Sequence, residues 1–315
     1  QTAYGDSEDA HGGDLWVIPM QGVYQGNGAG PLIWAVVSSP LLDIMREEGF
    51  GTFFKTSLSA QVIRFVGYAF VDDTDLVQTG KDGSETGIEI LEQMQVGVNL
   101  WEGIIDATGG ALSVEKSRWW LIDFLWDDNG EYTYAKIADM PGELTVKDFD
   151  GIIKPIQRME PDEAFETLGL WIAADGNLDR QFETLLDKVK KWSDKIRTSF
   201  LRKYDAAYAL KVTVLKKIEY CLPALNLSKN QCDELMRPIL KAALPKAGYN
   251  RNFPKEVIHG PTSLLGADIH HPYTTQLIAH LDILLRHGGQ ETITGQLLTG
   301  NLETTKLELG LPGPL

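Results

Sequence analysis

Apolar residues recur every three or four positions in several stretches of the chain, and this spacing predicts amphipathic helices. The predicted helices cover approximately residues 31–48, 84–107, 179–201, 206–222, 228–243 and one segment after residue 276 that precedes a loose end. Pro31 suits the first turn of the first helix and Gly49 suits its end, whereas Pro40 should kink or interrupt it. In the third helix, the apolar face is expected to include Trp192 and Phe200.

Shorter runs rich in β-branched and aromatic residues predict strands and hairpins. The predicted hairpins are 62–78, reversing at Asp72-Asp73; 119–126 with 131–137, joined by Asp127-Asp128-Asn129-Gly130; and one whose first strand is 165–172 and whose turn is 174–177. A strand over 112–126 carries Lys116. The order of elements predicts an α+β fold, in which a small antiparallel sheet is backed by two helices and followed by a mostly helical region.

Charge is distributed unevenly along the chain. The 315 residues carry a formal net charge of −15, which argues against a nucleic-acid partner. Residues 180–260, however, hold 17 basic and 8 acidic side chains, a local net charge of +9, while the remainder carries 12 basic and 36 acidic ones, or −24. This segment is either a basic module attached to an acidic body or an ordinary solvated helix surface.

Other composition features set limits on class and compartment. The sequence has no run of 18 apolar residues, so a membrane-spanning helix and a membrane partner are not expected. Cys221 and Cys232 are interpreted as small buried apolar residues, which favours a reducing intracellular compartment, nucleus or cytoplasm. The start at Gln1 has neither an initiator Met nor a signal peptide, and we expect a fragment.

The segment Phe70-Val71-Asp72-Asp73 is the strongest candidate for chemistry. An apolar, β-prone run delivers two adjacent carboxylates at a tight reversal. A rigid carboxylate pair suits the oxygen coordination that Mg²⁺ requires in phosphoryl transfer. Adjacent aspartates are also common turn residues, and both interpretations fit the pair taken alone. Asp75 is expected to cap the turn or to face solvent.

Several motifs, in order, resemble the second half of a reverse transcriptase (RNA-directed DNA polymerase), in particular those of retroelements and group II introns. The matching segments are the Gln-Gly loop at 25–31, the Phe-Val-Asp-Asp hairpin, Gly109-Gly110 through Lys116, the Leu168-Gly169 hairpin and the basic helices from about residue 180. The resemblance covers roughly residues 5–250. It implies a palm over residues 1–178, a helical thumb over 179–260 and a C-terminal extension over 261–315.

The resemblance also implies roles for individual residues in two-metal nucleotide transfer. Asp72 and Asp73 would be the catalytic ligands of Mg²⁺ (or Mn²⁺), with Asp72 the stronger ligand. The other implied contacts are with template and incoming dNTP (Gln25, Gly26, Asn27, Gly28, Lys116), with the primer (Phe70, Leu168, Gly169) and with duplex phosphates (Lys188, Lys190, Lys191, Lys195, Arg197). Phe70 is alternatively a core aromatic, and Lys116 is alternatively a solvated strand residue.

The chain departs from this family at its start. The catalytic aspartate of the first palm strand and the basic fingers precede the Gln-Gly loop in relatives, but only 24 residues precede Gln25 here. We therefore expect a polymerase fragment that is inactive alone and that needs an N-terminal half in cis. A non-catalytic nucleic-acid-binding protein and an unrelated Mg²⁺-dependent hydrolase remain alternatives. His270-His271 is interpreted as a surface pair because no third metal ligand lies at useful spacing.

Overall fold

The structure, a computed structural model, describes residues 30–70, 73–148 and 151–311. In chain order, its strands are β1 (Thr52–Lys55), β2 (Val62–Phe65), β3 (Gly67–Phe70), β4 (Asp73–Leu76), β5 (Arg118–Trp119), β6 (Phe124–Trp126), β7 (Tyr132–Tyr134), β8 (Thr145–Lys147), β9 (Ile153–Pro155), β10 (Gln157–Arg158), β11 (Phe165–Thr167) and β12 (Leu170–Ile172). The α-helices are α1 (Gly30–Glu47), α2 (Gly87–Ala107), α3 (Asp179–Thr198), α4 (Lys203–Ala209), α5 (Leu215–Cys221), α6 (Lys229–Lys246), α7 (Lys255–His259), α8 (Pro272–His287) and α9 (Ile293–Glu308).

This combination confirms the predicted α+β class. The described strands associate in pairs, and β3–β4, β6–β7, β8–β9 and β11–β12 are antiparallel. The pair β5–β10 is parallel, and β1 pairs with β2. The predicted small sheet is thus replaced, within the described residues, by two-stranded pairs.

The chain forms two compact units, each assembled from separate stretches of sequence. Within the described residues, the first unit comprises 30–54, 62–119 and 141–158, and the second comprises 55–61, 120–140 and 159–311. The predicted domain boundaries at residues 178 and 260 stay predictions. No helix of the described segments is long and apolar enough to cross a bilayer.

Two helices of the first unit follow from local sequence signals. α1 runs through Pro40 without a break, so the predicted interruption is wrong, and Gly49 follows it in the left-handed region with a φ of 85°. α2 begins with a capping box, in which Thr86 and Glu89 each accept a backbone N–H of the other. Both helices contribute to a hydrophobic cluster that includes Leu41, Met45, Val66, Trp101 and Ile105.

The second unit is built around a larger hydrophobic core. Most of its buried residues come from α3, α5, α6 and the π-helical segment Leu210–Val214 between α4 and α5. α6 also begins with a capping box, formed by Ser228 and Gln231. Cys221 and Cys232 are free and buried in this core, as predicted.

Two predicted elements of these units are wrong. The stretch 112–126 is not one strand: it contains a turn at 114–116 and only the short strands β5 and β6. The burial of Trp119 explains why this stretch is not one strand. Its side chain is buried, and the indole N–H donates a hydrogen bond to the Ile156 carbonyl oxygen, 3.1 Å away. The segment after residue 276 belongs to two helices, α8 and α9, rather than one.

His271 is not the surface residue that was predicted. Its side chain is mostly buried at the start of α8, where Nδ1 accepts the N–H of Tyr273 and Nε2 lies 3.1 Å from Asp233. His270 remains exposed. Within the described residues, no group of three or more potential metal ligands comes together.

Candidate active site and nucleic-acid interface

The carboxylate hairpin is formed by β3 and β4 in the first unit. Phe70 pairs with Asp73, and Tyr68 pairs with Asp75. Leu76 packs against the cluster shared by α1 and α2, and side chains of a strand alternate between its two faces. Asp73 and Asp75 therefore lie on the opposite face of β4, and both are exposed.

Asp75 has an electrostatic environment that fits a cation site. Desolvation by the surrounding protein raises the pKa of Asp75, and the negative charge of Asp73 raises it further. The side chain keeps partial exposure to water, so the effect of burial is moderate. Two repelling carboxylates on one strand face are donors that Mg²⁺ or Mn²⁺ accepts, and a bound cation would relieve their repulsion. Asp73 and Asp75 are oxygen donors of the kind that the implied metal takes, whereas Asp72, the stronger implied ligand, lies outside the described residues.

The hairpin depends on one glycine. A Cβ on Gly67 would come within 2.0 Å of the Asp75 carbonyl oxygen, so only glycine allows β3 and β4 to approach this closely. Phe70, at the end of β3, is 60% exposed, and the alternative that it is a core aromatic is wrong. Tyr68 and Phe70 thus flank the two carboxylates on the open face of the hairpin.

Several predicted site residues lie outside the described residues. These are Gln25, Gly26, Asn27, Gly28 and Asp72. Lys116 is described, but it lies in the exposed turn at 114–116 and not on a strand. Its predicted position was wrong because the region folds around the buried Trp119.

The Leu168-Gly169 hairpin lies in the second unit and reverses at these two residues. The predicted single strand over 165–172 is therefore wrong, because it divides into β11 and β12. A turn is present at 174–175, where the Gly176 N–H donates to the Ala173 carbonyl oxygen, but it does not join the strands of this hairpin. Both residues have positive φ, 50° for Leu168 and 78° for Gly169, which is the backbone of a tight primed turn. The hydroxyl of Tyr220 on α5 donates a 2.7 Å hydrogen bond to the Leu168 carbonyl oxygen. A leucine in this conformation is strained, and the contact from α5 helps to hold it.

Further contacts fix this hairpin to α3. The Trp171 N–H donates to the Gln181 side chain at 2.9 Å, and the Arg180 guanidinium stacks over the Trp171 ring at 4.7 Å. Leu170 packs against the core of the second unit. The tip at Leu168 is partly exposed on a well-supported hairpin, which is a suitable support for a primer contact.

The predicted phosphate-binding side chains lie on the outer face of α3. Leu185, Val189 and Ile196 are buried, whereas the basic residues between them are exposed: Lys188, Lys190, Lys191, Lys195 and Arg197. Lys191 and Arg197 form helical ion pairs with Asp187 and Asp194. Such exposed pairs are weak and leave these cations open to a phosphate.

An aromatic stripe next to this helix was missed by the sequence analysis. It consists of Phe200, Tyr204 and Tyr208, and Phe200, which was assigned to the apolar face of α3, is in fact fully exposed. The helix ends at Thr198, so its periodicity does not extend to Phe200. Arg202 and Lys203 lie between Phe200 and Tyr204 in the chain, and the Lys203 ammonium lies 5.3 Å from the Tyr204 ring. Aromatics four residues apart between basic residues were the signal that could have identified it.

No family model matches the chain, and no curated protein is significantly similar to it.

Proposed function

We propose that this chain carries the metal-binding hairpin and the nucleic-acid-binding helices of an RNA-directed DNA polymerase. Its main support is the pair Asp73 and Asp75, held on the open face of a hairpin whose other face packs on two helices. Asp72 and Asp73 would hold Mg²⁺ (or Mn²⁺), with Asp75 beside them. When bound, the metal stabilises the charge on the attacking and leaving oxygens of nucleotide transfer.

The remaining residues have positioning roles in this proposal. Phe70 and the Leu168-Gly169 hairpin contact the primer, and Lys116 contacts the dNTP. The exposed cations of α3 neutralise duplex phosphates, an interaction that is independent of sequence and weakens with salt. Gln25, Gly26, Asn27 and Gly28 contact template or nucleotide in the same scheme.

The metal site is tested first by titrating the full chain with Mn²⁺, whose unpaired electrons broaden nearby NMR signals. We expect selective broadening around β3 and β4. The broadening should be lost in Asp73→Asn/Asp75→Asn and kept in Asp106→Asn, an exposed carboxylate of the same unit. Uniform or absent broadening at millimolar Mn²⁺ would reject the proposed site.

Catalysis is tested by primer extension with dNTPs and Mg²⁺. In the proposed scheme Asp72 is a metal ligand, so any extension by this chain should be abolished by Asp72→Ala. Extension that persists in Asp72→Ala would contradict the polymerase assignment. A primer–template duplex that does not bind the chain at low salt would contradict the assignment itself.

A second candidate, a non-catalytic nucleic-acid-binding protein, is favoured by the aromatic stripe. Bases stack on exposed rings while neighbouring cations meet the phosphates, and each stacked base contributes about 1–3 kcal/mol. This candidate predicts that oligo(U) binding persists in Asp73→Asn and is weakened by at least about thirtyfold in Tyr204→Ala/Tyr208→Ala. Tyr132→Ala, which removes an exposed ring elsewhere in the second unit, is the control. Equal affinity of all three variants would exclude the stripe as a binding surface.

A further inference from the structure

The hairpin formed by β6 and β7 presents four aromatic rings on one face. Phe124 pairs with Tyr134 and Trp126 pairs with Tyr132, so these side chains share a face of the two-stranded unit. The Phe124 ring lies 5.2 Å from both tyrosine rings, and the Trp126 ring lies 5.4 Å from that of Tyr132. The rings therefore form one continuous aromatic surface.

This aromatic surface is open to solvent. The exposed fraction is 67% for Trp126, 52% for Tyr132 and 41% for Phe124. Exposed side chains of this size normally occur singly, whereas a contiguous group on a short hairpin marks an interaction surface. Tyr134 is half-buried and anchors the group.

The surroundings of these rings are acidic. Residues 120–140 contain five acidic side chains and one lysine, a net charge of −4. At the hairpin tip, the backbone N–H groups of Glu131 and Asn129 donate to Asp127, and these bonds lower the pKa of Asp127. Asp127 is therefore ionised at neutral pH, and the neighbouring Asp128 and Glu131 are exposed carboxylates.

We propose that the aromatic face of the β6–β7 hairpin binds an arginine-rich peptide segment of a partner protein. A guanidinium stacks on an aromatic ring through cation–π attraction, and its planar shape suits this better than the ammonium of lysine. The carboxylates at the tip attract the same positive charge. They also disfavour a nucleic-acid strand, because its phosphates would be repelled. This binding surface is independent of the proposed polymerase function.

The test uses the full chain and a fluorescein-labelled decapeptide of alternating arginine and glycine, at about 0.15 M salt so that long-range attraction is screened. Anisotropy gives the affinity for this peptide, for the matching lysine peptide and for oligo(U). The variants are Trp126→Ala/Tyr132→Ala, which leaves every charge in place, and Asp128→Asn/Glu131→Gln, which leaves every ring. Tyr249→Ala removes an exposed ring elsewhere in the second unit and is the control.

We expect the arginine peptide to bind more tightly than the lysine peptide. Its affinity should fall at least about fivefold in the ring variant, since each exposed cation–π contact contributes about 0.5–1 kcal/mol. A smaller loss is expected in the charge variant, and no change in the control. The proposal is overturned if the ring variant binds the peptide as the unmodified chain does. It is also overturned if oligo(U) binds this hairpin more tightly than the arginine peptide does. The same holds if the only effect of removing the rings is the loss of self-association, measured by sedimentation.

Discussion

Asp75 is a residue whose ionisation should cost stability. Its folded-state pKa lies above the ordinary value of 3.8, so the protonated form is favoured by folding, and stability falls as pH rises through the folded-state pKa. Asp75→Asn should therefore stabilise the chain at about pH 7, by no more than about 1 kcal/mol because water screens an exposed group. Urea unfolding of Asp75→Asn and of the unmodified chain gives the difference in the free energy of unfolding. The variant should be the more stable at neutral pH, and the difference should vanish at a pH below the ordinary pKa of the carboxyl group.

NMR titration separates the two causes of this shift. In Asp73→Asn the pKa of Asp75 should decrease but remain above its ordinary value, because desolvation is the larger cause. An Asp75 pKa that is unchanged by Asp73→Asn would show that the two carboxylates are not electrostatically coupled.

Glu303 is a carboxylate with the opposite behaviour. It is 3% exposed on α9 and accepts the N–H groups of Leu58 and Ser59 at 2.8 and 3.0 Å. The Ser59 hydroxyl, together with the N–H groups of Ser59 and Leu58, lowers the pKa of Glu303 to about 2. The stabilisation is thus fully present above the ordinary value of 4.5 and is lost as pH falls towards 2.

Glu303→Gln should consequently lower the free energy of unfolding at neutral pH, because the amide cannot accept both bonds with the same strength. The difference from the unmodified chain should narrow below about pH 4.5 and disappear near pH 2. Glu308→Gln, exposed in the last turn of the same helix, should show no such pH-dependent difference. A difference independent of pH would assign the effect to packing instead of charge.

At the level of elements, the carboxylate hairpin depends on the close approach of β3 and β4. Gly67→Ala should destabilise the chain by about 1–3 kcal/mol, since the new methyl group collides with the Asp75 carbonyl. The control is Gly103→Ala in α2, where a Cβ meets nothing within 4 Å. This substitution should stabilise the helix by up to about 1 kcal/mol, because alanine has the higher helix propensity. Thermal unfolding of both variants measures the contrast, and equal effects would contradict the close packing of the hairpin.

Elements with local signals were the ones that the sequence predicted well. α1, α2, α3 and α6 follow from apolar spacing and end signals that lie within each segment. The β-prone runs on either side of the two aspartates likewise predicted a hairpin that carries Asp73. The turn at Leu168-Gly169 could not be predicted in this way, because a leucine with positive φ is locally unfavourable. The supporting hydroxyl of Tyr220 lies 52 residues away along the chain.

At the scale of the whole molecule, the charge distribution decides what an acidic protein can bind. The net charge of −15 repels nucleic acid at long range, and salt screens that repulsion. Contacts between exposed α3 cations and phosphates are short-range and release counterions when they form. In the proposed function, affinity for a primer–template duplex would therefore depend on which surface meets it.

The salt dependence of duplex binding tests this directly. A plot of log affinity against log salt has a negative slope that becomes steeper with each neutralised phosphate. If Lys190 and Lys195 each neutralise one phosphate, Lys190→Gln/Lys195→Gln should make this slope less steep by about 2. Lys81→Gln/Lys136→Gln changes the net charge equally at exposed positions outside the basic segment, and should leave the slope unchanged. Equal slopes for the two double variants would mean that only net charge matters, and α3 would then have no specific part in holding the duplex.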